Sequence, residues 1–549
     1  MFMEKVNAKK VMSCIAITTL LCYNSQVSIA QTANETVQEL SKVAKKGVLD
    51  NSKIDENSLV RITYQMKVEK KSDQLSYEDY VFDKNLVFKG IQPTVENKTS
   101  KPDQKVTTLS AFVGGTNSFN VLSMSLNLQS EVWERIWDYK KQKYQWGKRL
   151  SKENVKPKNN DSKYIGFAAY SNDDDGSVAV IASYEKAKDN EDQFVALYIT
   201  NDLSLKETAL PLTGNYSLVY CDVLQSNNIY AIFAPNKGMS DTKKYVYIEF
   251  TPKAEIVIKK EFTAPSSNML IMDAKEINGS VYFCAGSDKS SDAYNQVFSH
   301  YAPIDNPGYS TSKNKLMDKY ERKVYGTEFY NFHLLKITNG EVMLASTVPV
   351  SSFKQKIVTP QGQKKASPYE GKKIAIQNIT VTPTGECLVT GQLEDKKIIN
   401  NGTTISWRYY DFVCLHFDNT GNLKAQYAVE KMNDDSKSEM FQSKQNFFLS
   451  ADGKSMYWEL MEVKGTKGYA SFLDAYNGNT TFIANYFPRI AKIDLEKTTL
   501  SAFTVLGEKG KYLVYKNQSF LFDEKTKTRY YIGHDEDYEK LWLAKYTFE

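Results

Sequence analysis

The sequence predicts an all-β fold, a β-propeller of four-stranded blades, on three observations. From about residue 57 to the end, runs of roughly six to ten residues alternate apolar and polar side chains between Gly, Asn and Asp turns, with hardly any stretch of helical period. Two kinds of hairpin take turns along the chain, and a pair of them makes a unit of roughly 45 to 60 residues, the period of propeller blades. Aromatic residues are abundant, with 36 Tyr and 27 Phe, as suits rings laid over pleated surfaces. A length of 549 residues is too much for one ordinary core, which also points to a repetitive architecture.

The chain begins with what reads as an export signal. Lys5, Lys9 and Lys10 precede the apolar run "VMSCIAITTLLC" and the small-residue end "SIA", so cleavage after Ala30 leaves Gln31 first. That run falls short of the ~20 residues that cross a bilayer, and no later stretch comes close. The mature chain is therefore expected to be exported, periplasmic or extracellular, without a membrane span. Residues 31–56, with "ETVQELSKVAKK" in weak helical spacing, are expected to form a short helix or a mobile lead-in.

The propeller is expected over 57–549. Six fairly complete units fall near 105–150, 161–212, 214–262, 268–350, 375–431 and 445–507. Terminal runs 57–95 and 512–549, about three strands each, are expected to combine into one more blade that closes the ring. That gives seven blades, with eight as the alternative. An insertion around 288–375 carries "NKLMDKYERKVYGTEFY" and a basic loop on either side of a hairpin that fits the second half of one blade or the first half of another.

Within the last complete unit, "LSADGKSMYWEL" (449–460) is an Asp-Gly turn between two apolar runs. It resembles the Ser-Pro-Asp-Gly-Lys hairpin of TolB-type propeller repeats, with Ala451 in the proline's place, and "TPTGECLV" is a looser copy. The close match covers about ten residues. The resemblance implies a fold, not an activity. Alternation places Met456, Trp458 and Leu460 on one face and Tyr457, Glu459 and Met461 on the other, with packing residues on both.

Composition excludes several function classes. Hydrophobic residues at 41% and charged residues at 25% describe a globular chain. The formal charge is +5, and removing the signal's three Lys and one Glu leaves +3, close to neutral for the size and poor for a nucleic-acid partner. Only seven Arg occur, so Lys dominates the basic side chains as a solvated surface. Of the four Cys left after cleavage, Cys387 and Cys414 are candidates for a disulfide on neighbouring strands; the alternative is that all four are small buried thiols.

The chemical motifs are sparse. Ser450, Asp452, Gly453 and Trp458 resemble the Asp box of sialidases only with altered spacing, and such boxes are turns even there. His300, His333, His416 and His534 lie far apart, and neither HExxH nor CxxC occurs. "SNDDDGS" (171–177) starts like a calcium loop but has Ala182 where the closing acid belongs, and "GHDEDYE" (533–539) reads as a solvated turn. Phosphate loops, dinucleotide fingerprints and Gly-x-Ser-x-Gly elbows are missing from the sequence. No catalytic residue, metal ligand or cofactor is assigned.

The most distinctive stretch is "EVWERIWDYKKQKYQWGKRL" (131–150), which gathers Trp133, Trp137, Trp146, Tyr139 and Tyr144 with Arg135 and Arg149. Its rings either pack between blades or form an aromatic platform, since Trp, Tyr and Arg are typical interface anchors. The expected function is thus an exported, non-catalytic propeller that binds a protein partner or assembles a complex in a bacterial envelope. The Gln after the cleavage site and the Lys/Asn/Tyr-rich β texture resemble exported proteins of Bacteroidota. The alternative is a glycan-active propeller enzyme of glycoside hydrolase type with carboxylates at the central channel, or a glycan-binding lectin.

Overall fold

The computed structural model describes all residues except 1–32, 67–72, 116–123, 140–141, 159–163, 173–174, 185–193, 213–215, 236–243, 267–268, 288–328, 364–365, 372–373, 400–403, 433–437, 469–480 and 516–519. The expected signal, its cleavage site and much of the expected insertion lie outside the described residues.

The chain is an all-β propeller. Consecutive strands pair antiparallel in chain order, giving four-stranded sheets over 48–97, 164–209, 216–263 and 269–349. The 374–429 sheet gains a fifth strand, because Ile357–Val358 runs parallel to Leu423–Val429. The 104–155 sheet has three strands. The ten-stranded final sheet unites two units, 444–505 and 512–547, through a bridge between Tyr486 and Val514. Tyr216–Val223 lies beside Met269–Ile277, which lies beside Ile374–Val381, which lies beside Lys444–Leu449. First strands of successive sheets thus neighbour one another, as inner strands do around a propeller axis.

Apolar side chains on both faces of the blades build a core at each seam. Rings cross several of these seams: Phe194 meets Phe233 at 4.8 Å, Tyr230 meets Phe283 at 6.0 Å, Phe332 meets Phe417 at 5.6 Å and Tyr457 meets Tyr546 at 5.8 Å. The expected alternation at 456–461 holds, since Met456, Trp458 and Leu460 pack toward the 374–429 sheet and Tyr457 and Met461 toward 512–547. A fully buried Glu459 joins the second face.

Five sheets share a device that no sequence motif announces. Their first strand carries one extra residue, at Asp50, Phe167, Val219, Met272 and Gln377, where the register with the second strand shifts. Such bulges bend and twist the strand on which they sit.

An N-terminal strand pairs with the C-terminal one, as expected, but the runs involved differ from expectation. Residues 57–95 do not merge with 512–549, because 48–97 completes its own four-stranded sheet. The lead-in is also ordered: Asn34–Glu39 is a strand paired with Lys540–Thr547 in register from Asn34↔Lys545 to Glu39↔Lys540. The helical spacing of Val37, Leu40 and Ala44 loses to this tertiary pairing, in which Glu35 accepts hydrogen bonds from Trp542 Nε1 (2.8 Å) and the Gly507 amide (2.9 Å). The hairpin left open between two blades, Asn331–Pro349, completes the sheet begun at Met269.

A Cys387–Cys414 disulfide does not form. The two lie on paired strands, but Cys387 faces Phe417 and Cys414 faces Thr390, three positions away and on opposite faces of the sheet. Cys387 therefore belongs to one seam and Cys414 to the next, and all four described cysteines are buried thiols outside any disulfide.

Candidate functional site

The residues singled out at 131–150 lie on two paired strands, Met124–Asp138 and Lys143–Val155. Strand alternation sends Glu131, Trp133, Arg135 and Trp137 to one face. Across from them, Trp133 pairs with Arg149, Arg135 with Trp146 and Trp137 with Tyr144, through two register shifts near Trp133. The result is a ladder in which cations and rings alternate. The Arg149 guanidinium lies 5.8 Å from the Trp133 ring, Trp133 meets Trp146 edge-on at 5.9 Å, and Arg135 stands 5.3 Å from both Trp146 and Tyr144. Trp137 and Tyr144 close the ladder at 4.9 Å, with the Lys101 ammonium 4.7 Å over Trp137.

The two halves of the ladder have different surroundings. Near the hairpin tip, the 98–103 connector is strapped across the rings. Trp137 Nε1 donates to the Thr99 carbonyl (2.8 Å), the Trp137 amide to Asp103 (3.0 Å), and Tyr144 OH to the Pro102 carbonyl (3.0 Å). Gln142 reinforces the strap, accepting from the Thr99 amide and donating to the Thr99 carbonyl, while Tyr139 OH reaches Asp73 at 3.3 Å. Trp137 and Tyr144 thus tie the hairpin to the connector, and Tyr139 ties it to the 48–97 unit. At the far half Trp146 is 58% exposed and no strap covers it.

Glu131 anchors that open half. It accepts from Trp133 Nε1 (2.9 Å) and Arg149 (2.8 Å), with Lys152 at 3.7 Å. Desolvation works against its charge, but these donors hold its carboxyl below the usual range. None of the ladder rings is among the buried core residues described for the blades.

The stretch 449–460 is a turn and nothing more. Ser450 Oγ donates to Asp452 (2.6 Å) and accepts from the Ser455 amide (2.9 Å), Asp452 accepts from the Lys454 amide (3.0 Å), and Gly453 supplies φ +72°. Trp458 is fully buried and donates to Gln445 (3.0 Å), unlike a ligand platform. At 171–177, Asp175 caps the Ser177 amide (2.9 Å), and at 533–539 Asp535 caps the amides of Glu539 and Lys540. Among the described residues no group of three His, Cys, Asp or Glu is placed to hold a metal ion. The described histidines are core residues: His333 sits between Thr347 (3.0 Å) and Ser287 (2.8 Å), and His416 between Tyr427 and Glu386.

Sequence reasoning missed a second group, where two neighbouring first strands meet. Burial pushes the Asp273 carboxyl up to about 6, and Asp222 from the adjacent blade pushes in the same direction. On the same strand, Lys275 Nζ donates to Asn378 at 2.6 Å. A carboxyl protonated near pH 6 beside another carboxylate is the arrangement that acid–base chemistry uses. Only their placement on bulged strands brings these residues together, and nothing in their spacing signals it.

No protein-family model matches the sequence, and no curated protein matches it. Among solved structures the chain is similar to Synechocystis apocarotenoid oxygenase, with a TM-score of 0.31 and 7% identity over 82% of this chain and 94% of that one. It is also similar to a Lactobacillus plantarum protein (TM-score 0.27, 9% identity, 81% and 95% covered) and to the Dos1 propeller (TM-score 0.24, 6% identity, 80% and 93% covered). At such scores the likeness carries no argument, and the assignment of fold rests on the strand order and seams of this chain. No helix among the described residues is long and apolar enough to cross a membrane.

Proposed function

We propose that this chain is an exported, non-catalytic β-propeller that binds a protein partner or helps assemble a complex in a bacterial envelope, and that it does so through the open half of the 131–150 ladder. One observation carries the reading. Trp146, Trp133, Arg135 and Arg149 are held in place by one another and by Glu131, yet they stand outside every blade core. Rings and guanidinium groups fixed before binding lose little side-chain entropy on contact, which makes them good anchors. The export part of the reading rests on residues 1–30, and the envelope of a Bacteroidota-style host on the resemblance of composition.

The test is affinity purification of the tagged mature chain from gently solubilised envelope, beside a Trp146→Ala/Arg149→Glu variant. A stoichiometric protein recovered with the natural chain and lost with an equally stable variant is the expected result. A solitary natural chain would count against the module and direct attention to glycan arrays.

A second reading, a glycan-active enzyme, is favoured by the raised Asp273 carboxyl beside Asp222. Its test is a hydrolysis screen in which any activity found disappears in Asp273→Asn.

A further inference from the structure

We propose that Lys143–Val155 is an open sheet edge that takes an extended, acid-rich segment of a protein partner as a fourth strand. The proposal rests on the module reading above and specifies how the partner is held. Where the other described blades have four strands or more, the 104–155 sheet has three. Its first strand, Gln104–Gly115, faces the next sheet at Tyr164–Ser171, so the vacant place is the outermost one. That place is filled elsewhere by strands such as Phe88–Asn97, Ile256–Thr263 and Glu341–Pro349. In the last blade Asn34–Glu39 fills it, arriving from the opposite end of the chain. The fold therefore already completes one blade by adding a strand that is remote in sequence.

The edge is suited to pairing. Lys143–Val155 is 13 residues long, no residue in it is buried, and 148–154 is exposed throughout. Among the described residues its only strand partner is Met124–Asp138, so its outward amides and carbonyls form the row that strand addition uses.

Charge selects the occupant. Residues 98–158 hold twelve Lys or Arg against five Asp or Glu, an excess of +7 in a chain whose total is +5. On the edge itself, Lys143, Lys148, Arg149 and Lys152 stand against Glu153, and Arg149 and Lys152 share the single Glu131 carboxylate. Lysines along an edge repel a neutral or basic strand, including a second copy of this same edge, and favour an acidic one. An anionic polysaccharide meets the charge but lacks the backbone amides and carbonyls that an edge needs.

Binding is read by fluorescence anisotropy of the mature chain with a labelled peptide of alternating Glu and Val. Comparators are an alternating Lys-Val peptide, polyglutamate of equal length and an anionic polysaccharide. Lys152→Pro and Glu153→Pro are both made: the N–H groups of adjacent residues point to opposite sides of the strand, so one substitution removes only an outward donor. The Glu-Val peptide is expected to bind at least tenfold tighter than every comparator and to lose tenfold or more in whichever proline variant keeps the natural melting temperature. Hydrogen exchange supplies a readout independent of the variants, with alternate amides of 143–155 slowed at saturating peptide. Equal binding of polyglutamate or polysaccharide would overturn the edge in favour of plain charge. Unchanged binding by a folded proline variant, or no slowed amides, would overturn it too, while loss in Trp146→Ala/Arg149→Glu would leave the module reading standing. If no peptide binds, the edge proposal falls, and the envelope purification still judges the module by itself.

Discussion

Acid should weaken this fold through His333, and the size of the effect follows from its surroundings. The imidazole is 1% exposed, between the hydroxyls of Thr347 and Ser287, and burial alone holds it down to about 4. In the unfolded chain the group titrates near the ordinary ~6.5. Because the folded value is the lower one, the folded state binds fewer protons across that window. The stabilising contribution is complete above about pH 6.5 and is lost as the pH falls toward 4. At about 1.4 kcal/mol per pH unit, the loss amounts to ~3 kcal/mol. Urea unfolding at pH 7, 6, 5 and 4, for the natural chain and for His333→Gln, isolates this residue from other titrating groups. The Gln amide can still face both hydroxyls but does not titrate, so the stability difference should shift in the variant's favour by ~3 kcal/mol between pH 7 and 4. Parallel curves would refute the reasoning.

Three further outcomes are expected. Replacing Asp273 with Asn should stabilise the fold above pH 6: its folded value is raised to about 6, so stability is lost as pH rises through that value, by up to ~2 kcal/mol; a variant no more stable than the natural chain at pH 7.5 speaks against it. Ser58 (φ +60°) and Leu203 (φ +69°) occupy left-handed turn positions, and replacing either with Gly should add ~0.5 kcal/mol, the released strain exceeding glycine's entropy, as a higher urea midpoint would report. Cys221, Cys284, Cys387 and Cys414 are buried thiols outside any disulfide, with Cys387 pushed up to about 12, so a thiol reagent should find almost none in natively folded residues 31–549 and all four in guanidinium; fewer than four would mean a disulfide.

Blade boundaries were legible because turn chemistry is local. Units expected at 214–262, 268–350, 375–431 and 445–507 form at 216–263, 269–349, 374–429 and 444–505. The turns themselves were only partly legible. Seven described loops, starting at 55, 83, 200, 224, 251, 382 and 418, share one pattern: the first amide donates four residues ahead, and the fourth residue is left-handed and donates back to the first. Gly fills that fourth place only at Gly385 and Gly421, whereas Ser58, Leu86, Leu203, Asn227 and Ala254 fill the others, so a search for Gly turns passes over most of them. Long-range pairing left no local trace at all. Asn34–Glu39 reads as a weak helix until it meets Lys540–Thr547, and Asp222 and Asp273, 51 positions apart, become neighbours only in the ring. The aromatic ladder was legible as a cluster, but the strap of 98–103 that divides it into a structural and an open half was not.

Three of the described arginines sort structure from binding. Arg489 and Glu462, both almost wholly buried, pair at 2.6 Å within the 444–505 unit and clasp the chain leaving the previous blade: Arg489 donates to the Glu430 carbonyl (2.7 Å) and Glu462 accepts from the Met432 amide (3.1 Å). Arg529 pairs across the next seam with Glu459 (2.7 Å), which also accepts from Tyr531 OH and from Asn446 (2.6 Å). Burial opposes both charges of such a pair, so its net gain over an apolar pair is small, but removing one partner strands the other in a dry seam. Arg489→Met should therefore cost ~3 kcal/mol or more. Arg149 differs: its side chain is 43% exposed and its partner Glu131 keeps Trp133 and Lys152, so Arg149→Ala should cost under ~1 kcal/mol. Paired urea melts measure both. If Arg149→Ala proved as costly as Arg489→Met, the ladder would be part of the fold's framework and its claim to be a binding surface would fail.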